Sequence, residues 1–218
     1  MVYKRKRNLF QLAEARNIPV EQVDKKELAR LSGREDHQSV LALVSTYTCL
    51  NSEKFIDRIY AAKPENLPSV VMIDNVQDLN NAAAVLRTAE VLGMKTVIFT
   101  EVRDSIISPV VSKRSAGAAE HLDVMVTSNP TPLMKAFKER KYSIYGLDAK
   151  GKTMIQDVPF TAPFCLVIGS EGSGIRDKIK PYCSLVSIPQ KGKVNSLNLS
   201  SAASIALFTA VMATQNTK

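Results

Sequence analysis

From residue 69 onward the chain alternates short, continuous apolar runs with stretches of helical periodicity. Val70-Val71-Met72-Ile73 has no polar interruption and stops at Asp74-Asn75. That pattern predicts a strand buried on both faces of a parallel sheet. Residues 96–100, 123–127, 143–147, 164–169 and 185–188 predict further strands of the same kind. Between them, 80–92 reads as a helix closed by Gly93, and 108–114, 132–141 and 176–182 also read as helices. A last helix, rich in small residues, covers 197–214. Strands alternating with helices predict an α/β fold, an open parallel sheet with helices on both faces. Ligands of such sheets bind beyond the carboxyl ends of the strands.

Ahead of residue 69 the pattern is shorter-ranged. Residues 8–16 and 25–31 read as helices, the second stopping at Ser32-Gly33. Ile18-Pro19-Val20 leads into a short strand, and 39–45 reads as a strand. Residues 51–62 read as a connecting helix, with Pro64 and Pro68 marking a boundary. The division expected is a small α/β piece over 1–48, a linker over 49–68 and the main domain over 69–218. A front piece of that size buries little area and needs a neighbour.

Charge sharpens the picture at the front. The 218 residues carry a net charge of +8. Before residue 35 there are nine Lys/Arg and four Asp/Glu, so +5 of the +8 lies at one end. This asymmetry suits a polyanion, and RNA or DNA suits it better than lipid, because no strongly amphipathic basic helix accompanies the charge. No window is long and apolar enough to span a membrane, and residues 1–7 lack the apolar core of a signal peptide. Cys49, Cys165 and Cys183 stand alone, and only His37 and His121 could join them, so no metal site is expected. An odd number of lone cysteines predicts a reducing, cytoplasmic setting.

The candidate chemistry sits late in the chain. Ile168-Gly169-Ser170-Glu171-Gly172-Ser173-Gly174 leaves one apolar run. Ile188-Pro189-Gln190-Lys191-Gly192-Lys193 leaves another and continues into Asn195-Ser196-Leu197-Asn198-Leu199-Ser200. Two glycine-bearing loops can place bare backbone around a small ligand, and the second delivers Ser196 and Asn198. The glycines at 169, 172 and 174 do not have the G-x-G-x-x-G spacing of a dinucleotide fold. Gly146-Leu147-Asp148-Ala149-Lys150-Gly151-Lys152-Thr153 does spell a P-loop. A P-loop must open into a helix, however, and the continuation here has no helical period and meets Pro159 and Pro163. An NTPase is therefore a minor reading.

Three segments in order, residues 74–89 (Asp74-Asn75 through Asn81 and Arg87 to Ala89), 166–174 and 188–200, together with Ser115-Ala116-Gly117-Ala118, resemble the SpoU (TrmH) branch of the SPOUT methyltransferases. The resemblance covers about 69–214. It implies a parallel sheet whose C-terminal part is tied into a deep trefoil knot, a homodimer, S-adenosylmethionine as methyl donor, and methylation of a ribose 2′-hydroxyl in RNA. More weakly, Lys6-Arg7-Asn8-Leu9, Ile18-Pro19-Val20 and His37-Gln38 resemble the L30e-like RNA-binding domain that precedes this fold. Ser39 stands where that domain commonly has glycine. Its opening strand and helix have no counterpart before Met1, which implies a truncated chain or an incomplete RNA domain.

The resemblance also implies roles. Arg87 is the catalytic arginine, meeting the other protomer's cofactor, and Asn81, Glu171, Ser196 and Asn198 are catalytic-site residues. Ile168, Gly169, Gly172, Ile188 and Leu197 hold the cofactor. Plainer explanations stand beside these: chain-turning glycines, a surface arginine, and helix-start caps for Asn81, Ser196 and Asn198. A guanidinium stays protonated, so Arg87 suits gripping a phosphate and stabilising an alkoxide; an RNA phosphate or Ser196 receives the proton. Lys4, Arg5, Lys6, Arg7, Lys113 and Arg114 are candidate phosphate contacts. The expected function is 2′-O-methylation of a ribose in ribosomal RNA of the 23S type. The alternatives are the same reaction on transfer RNA and a non-catalytic RNA-binding protein.

Overall fold

The computed structural model describes residues 2–33, 39–45, 47–100, 106–194 and 196–215, with backbone only for residues 2–7. His37, Gln38, Asn195 and the side chains of Lys4, Arg5, Lys6 and Arg7 lie outside the described residues. The chain divides into two compact units, residues 1–46 and 47–218.

Among its described residues the first unit contains two helices, α1 (Val2–Ala15) and α2 (Lys25–Ser32). Asp24 caps α2 by accepting from the Glu27 amide, and Gly33 ends it. The strands expected after Pro19 and over 39–45 do not form among the described residues. Leu43 and Val44 are each 84% exposed, and a strand without a neighbouring ladder gains no backbone hydrogen bonds.

The second unit is built on a seven-stranded, all-parallel sheet. Its strands are β1 (Val70–Asp74), β2 (Thr96–Thr100), β3 (Asp123–Thr127), β4 (Ser143–Leu147), β5 (Thr153–Met154), β6 (Phe164–Ile168) and β7 (Ser184–Ser187). They lie in the order β3-β2-β1-β6-β4-β7-β5. The helices are α3 (Ser52–Ala61), α4 (Leu79–Val91), α5 (Pro109–Arg114), α6 (Thr131–Glu139) and α7 (Leu199–Gln215).

Strand periodicity explains how unbroken apolar runs serve two cores. Val71, Ile73, Val97, Phe99, Leu166 and Ile168 pack in the layer of α4 and α7. Val70, Met72, Ile98, Cys165 and Val167 pack in the layer of α3 and α6, against Phe55, Ile59, Leu133 and Phe137. The helix expected over 176–182 is instead one turn followed by a 3-10 turn, Lys180–Tyr182. Pro181 removes an amide and disfavours the α conformation at Lys180. No helix is long and apolar enough to cross a membrane among the described residues.

Candidate active site

The strand order reverses at β1 and β6, and a cavity of about 360 Å³ opens beside this point, beyond the carboxyl ends of β4 and β6. It is walled by residues 147–150 at the end of β4 and beyond, 168–174 at the end of β6 and beyond, and Ile188, Gln190, Ser196 and Leu197 between β7 and α7. Ile168, Gly169, Glu171, Gly172, Ile188, Ser196 and Leu197 all line it.

The loop after β6 is fixed at three places. At its start, Ser170 and Gly174 exchange backbone hydrogen bonds of 3.2 and 3.0 Å. A Cβ on Gly169 would stand 2.1 Å from the Gly174 carbonyl carbon and 2.3 Å from the Ile175 nitrogen. Gly169 is thus required by the loop's own closure. At Gly172 a Cβ would meet nothing within 4 Å.

At its exit the loop is tied to the sheet. The Asp74 side chain, at the end of β1, is 0% exposed. Arg176 donates to its Oδ1 from Nε at 2.7 Å and to its Oδ2 from the backbone amide at 2.9 Å, and its Nη2 lies 2.5 Å from Oδ1. Nη2 also donates to Thr100 Oγ1 at 2.6 Å, and that hydroxyl donates to Asp74 Oδ1. A buried carboxylate is tolerated here because it is paired and hydrogen-bonded.

At its middle the loop joins two helices. Glu171 Oε1 accepts from Asn81 Nδ2 at 3.1 Å, Asn198 Nδ2 at 2.7 Å and the Leu199 amide at 3.1 Å. Asn198 Nδ2 also donates to Asn81 Oδ1 at 3.0 Å. Asn198 Oδ1 caps α7, accepting from the Ser200 amide at 2.9 Å and Ser200 Oγ at 2.6 Å. Three residues expected at the site therefore meet in one polar network. Its geometry binds α4, the β6 loop and α7 together; Asn198 also caps α7, and of the three only Glu171 lines the cavity.

Arg87 is elsewhere. It is exposed on α4, makes no hydrogen bond or ion pair among the described residues, and is not on the wall of the cavity. Lys113 and Arg114 are exposed in the last turn of α5, where cations complement a helix C-terminus, and they also lie off the cavity.

Sequence reasoning missed Asp148, Lys150, Lys180 and Gln190 as wall residues. Asp148 accepts from the Lys150 amide at 2.9 Å and pairs with Lys180 Nζ at 3.0 Å. The amide and, after it, the ammonium hold its carboxyl below the usual range. The available signal for Asp148, Lys150 and Gln190 was position, because they closely follow predicted strands; Lys180 lies in the stretch read as a helix and had no such signal. The sheet's buried Asp74 was a second signal, because a carboxylate ending a buried strand requires a partner.

The model of the SpoU rRNA methylase family matches residues 68–208, and that of the RNA 2′-O ribose methyltransferase substrate-binding domain matches residues 3–50. A protein of Staphylococcus haemolyticus assigned to the TrmH family of tRNA/rRNA methyltransferases is 34% identical over 202 residues, 92% of this chain and 80% of that protein. A tRNA/rRNA methyltransferase of Synechocystis is 34% identical over 205 residues, and the chain spans 53% of its length. Among solved structures, the SpoU methyltransferase AviRb of Streptomyces viridochromogenes with bound AdoMet is 28% identical. The match has a TM-score of 0.64 and covers 72% of this chain and 63% of AviRb. The AdoMet-bound rRNA methyltransferase of Sinorhizobium meliloti, 20% identical, shares the fold with a TM-score of 0.73 over 95% of this chain and 77% of that one. The sheet order, the cavity at the strand reversal and these matches agree: the chain belongs to the SpoU rRNA methylase family, whose methyl donor is S-adenosylmethionine.

Proposed function

We propose that this protein methylates the 2′-hydroxyl of a ribose in ribosomal RNA of the 23S type. The observation that carries the reading is the cavity itself, a glycine-walled space beside apolar Ile168, Ile188 and Leu197, with the Ser196 side chain at its wall. Its volume, about 360 Å³, lies within the ordinary range of small-molecule sites, about 300–1,000 Å³. Backbone amides and carbonyls of 169–174 suit a nucleoside's polar edge, and the apolar side chains suit its flat base. S-adenosylmethionine supplies an electrophilic methyl on a sulfonium at such a site.

This chain's residues have the remaining tasks: to hold the ribose in line with that methyl and to take the proton from O2′. The Arg87 guanidinium donates to the phosphate beside the target ribose and stabilises the developing alkoxide. Ser196 Oγ or an RNA phosphate receives the proton. Glu171, Asn81 and Asn198 keep the wall in register. The same residues serve whether the RNA is ribosomal or transfer. A front domain that engages substrate, over 1–48 and ahead of a 49–68 linker, favours the ribosomal reading, and the substrate-binding match over 3–50 supports that role. Lys4 to Arg7, Lys113 and Arg114 would meet phosphate there and on α5.

Because Arg87 is off its own cavity, it acts in the site of a second copy. The surface that carries it supports a homodimer. Val91, one turn along α4, is 73% exposed, and Ile205 and Phe208 on α7 are 42% and 56% exposed. Thr88 and Ser204 hydrogen-bond at 3.1 Å and bring the two helices side by side, so these apolar groups form one patch. The tie from Glu171 to the start of α7 suits a C-terminal segment drawn back through the fold, the trefoil knot of this branch.

The test is methyl transfer from labelled S-adenosylmethionine to ribosomal and transfer RNA fractions, mapped by block of alkaline hydrolysis at the modified ribose. Ribosomal RNA is expected to be labelled at one position. Arg87→Lys, which keeps charge but loses the bidentate fork, should lower turnover at least tenfold, about 1.4 kcal/mol, with cofactor affinity retained. Labelling of a base, or full turnover by the Arg87→Lys protein, would overturn the reading.

A further inference from the structure

The stretch that spells a P-loop forms none. Thr153 enters β5, and Ile155–Asp157 is a single 3-10 turn, so no helix N-terminus is offered to a phosphate. Its second glycine has another task. A Cβ on Gly151 would lie 2.5 Å from the Val186 carbonyl carbon. The Asp148 amide donates to Val186 O at 2.9 Å, and β5 pairs with β7 through Thr153–Val186 and Met154–Ser187. Only a bare backbone can lie this close to β7. The turn over 148–152 is thereby laid beside the end of β7, from which the chain leaves toward Lys191 and Lys193.

The charge at this place is one-sided. Lys150, Lys152, Lys191 and Lys193 are all exposed, and among the described residues none of the four pairs with a carboxylate. Across 148–154 and 188–194 the single acidic residue is Asp148, and Lys180 already neutralises it. Lys150 and Gln190 line the cavity, and Lys152, Lys191 and Lys193 lie within three positions of one or the other along the chain.

We propose that Lys150, Lys152, Lys191 and Lys193 form a rim that binds the phosphodiester backbone of the RNA substrate and seats its ribose at the cavity. This rests on the reading of the chain as an RNA methyltransferase. Lysines on flexible stems suit the task, because a compact cation can contact phosphates without reading bases. The rim gives register along the strand, and selection of the nucleotide lies elsewhere.

The experiment uses the full chain and leaves Lys150 in place, since it lines the cavity. Binding of bulk ribosomal RNA and of bulk transfer RNA is measured across salt for the wild type, for Lys152→Ala/Lys191→Ala/Lys193→Ala, and for the same three positions changed to Arg. The alanine protein is expected to bind RNA about tenfold more weakly or worse, with its salt slope shallower by roughly 2 to 3, about one per lost contact. Its affinity for S-adenosylmethionine should be unchanged, and the arginine protein should keep the wild-type slope. If the wild type binds and methylates RNA while the alanine protein matches it in affinity and slope, the rim is wrong and the methyltransferase reading stands. If the alanine protein loses cofactor affinity, the lysines serve the cavity and the rim is again wrong. If the wild type binds the cofactor and neither RNA fraction, both fall together.

Discussion

Two of the loops that wall the cavity, after β6 and after β7, are built in opposite ways. The loop after β6 is closed by Ser170 and Gly174, tied to the sheet by Arg176 and Asp74, and tied to two helices by Glu171. The segment after β7 is exposed from Pro189 to Val194, and Gly192 has its nearest non-neighbouring atom, the Val194 nitrogen, 4.0 Å from where a Cβ would stand. One wall is set by the protein before any ligand arrives, and the other has room to adjust. A rigid wall lowers the entropy lost on binding, and an open one allows substrate to enter.

The largest effect should come from removing the anchor of the rigid loop. Asp74→Ala leaves the largely buried Arg176 guanidinium without its carboxylate and is expected to lower stability by about 3–5 kcal/mol, read by denaturant unfolding. Gly169→Ala comes next. The added methyl collides with backbone that cannot turn aside, so a loss of about 1–3 kcal/mol is expected, together with weakened cofactor binding by calorimetry. At the far end, Gly192→Ala should change stability by less than about 0.5 kcal/mol and leave cofactor binding intact. Equal sensitivity at Gly169 and Gly192 would erase the contrast between the loops.

Much of the sheet was legible because its strands are buried on both sides. Residues 96–100, 123–127 and 143–147 form strands as read, β1 and β6 differ from the reading by a residue at one end, and β7 is shifted by one residue. An uninterrupted apolar run leaves the chain few other places to go. The front unit was less legible, because 39–45 has a strand's composition without a partner ladder, and composition carries no information about partners. The reading of 176–182 erred because Pro181 falls inside it, removing an amide and disfavouring the α conformation at Lys180. At the site, a hydrogen bond between Asn81 and Glu171 was open to sequence reasoning, and the part Asn198 takes in joining both was not. Gly169 was read as an opening for ligand, and its tightest constraint is the loop's own backbone. The lettering of 146–153 misled, since Gly151 answers to β7 and Gly146 to side chains packed beside it, Ile175, Cys183 and Leu185.

The hydrogen bond from the Leu199 amide to Glu171 couples two equilibria that look separate. Fraying of the first turn of α7 pulls at one side of the cavity, and a ligand that holds Glu171 in place suppresses that fraying. Occupancy should therefore register as slower amide exchange along the last helix, well beyond any atom the ligand touches, and cutting by a protease near its start should slow in proportion to saturation.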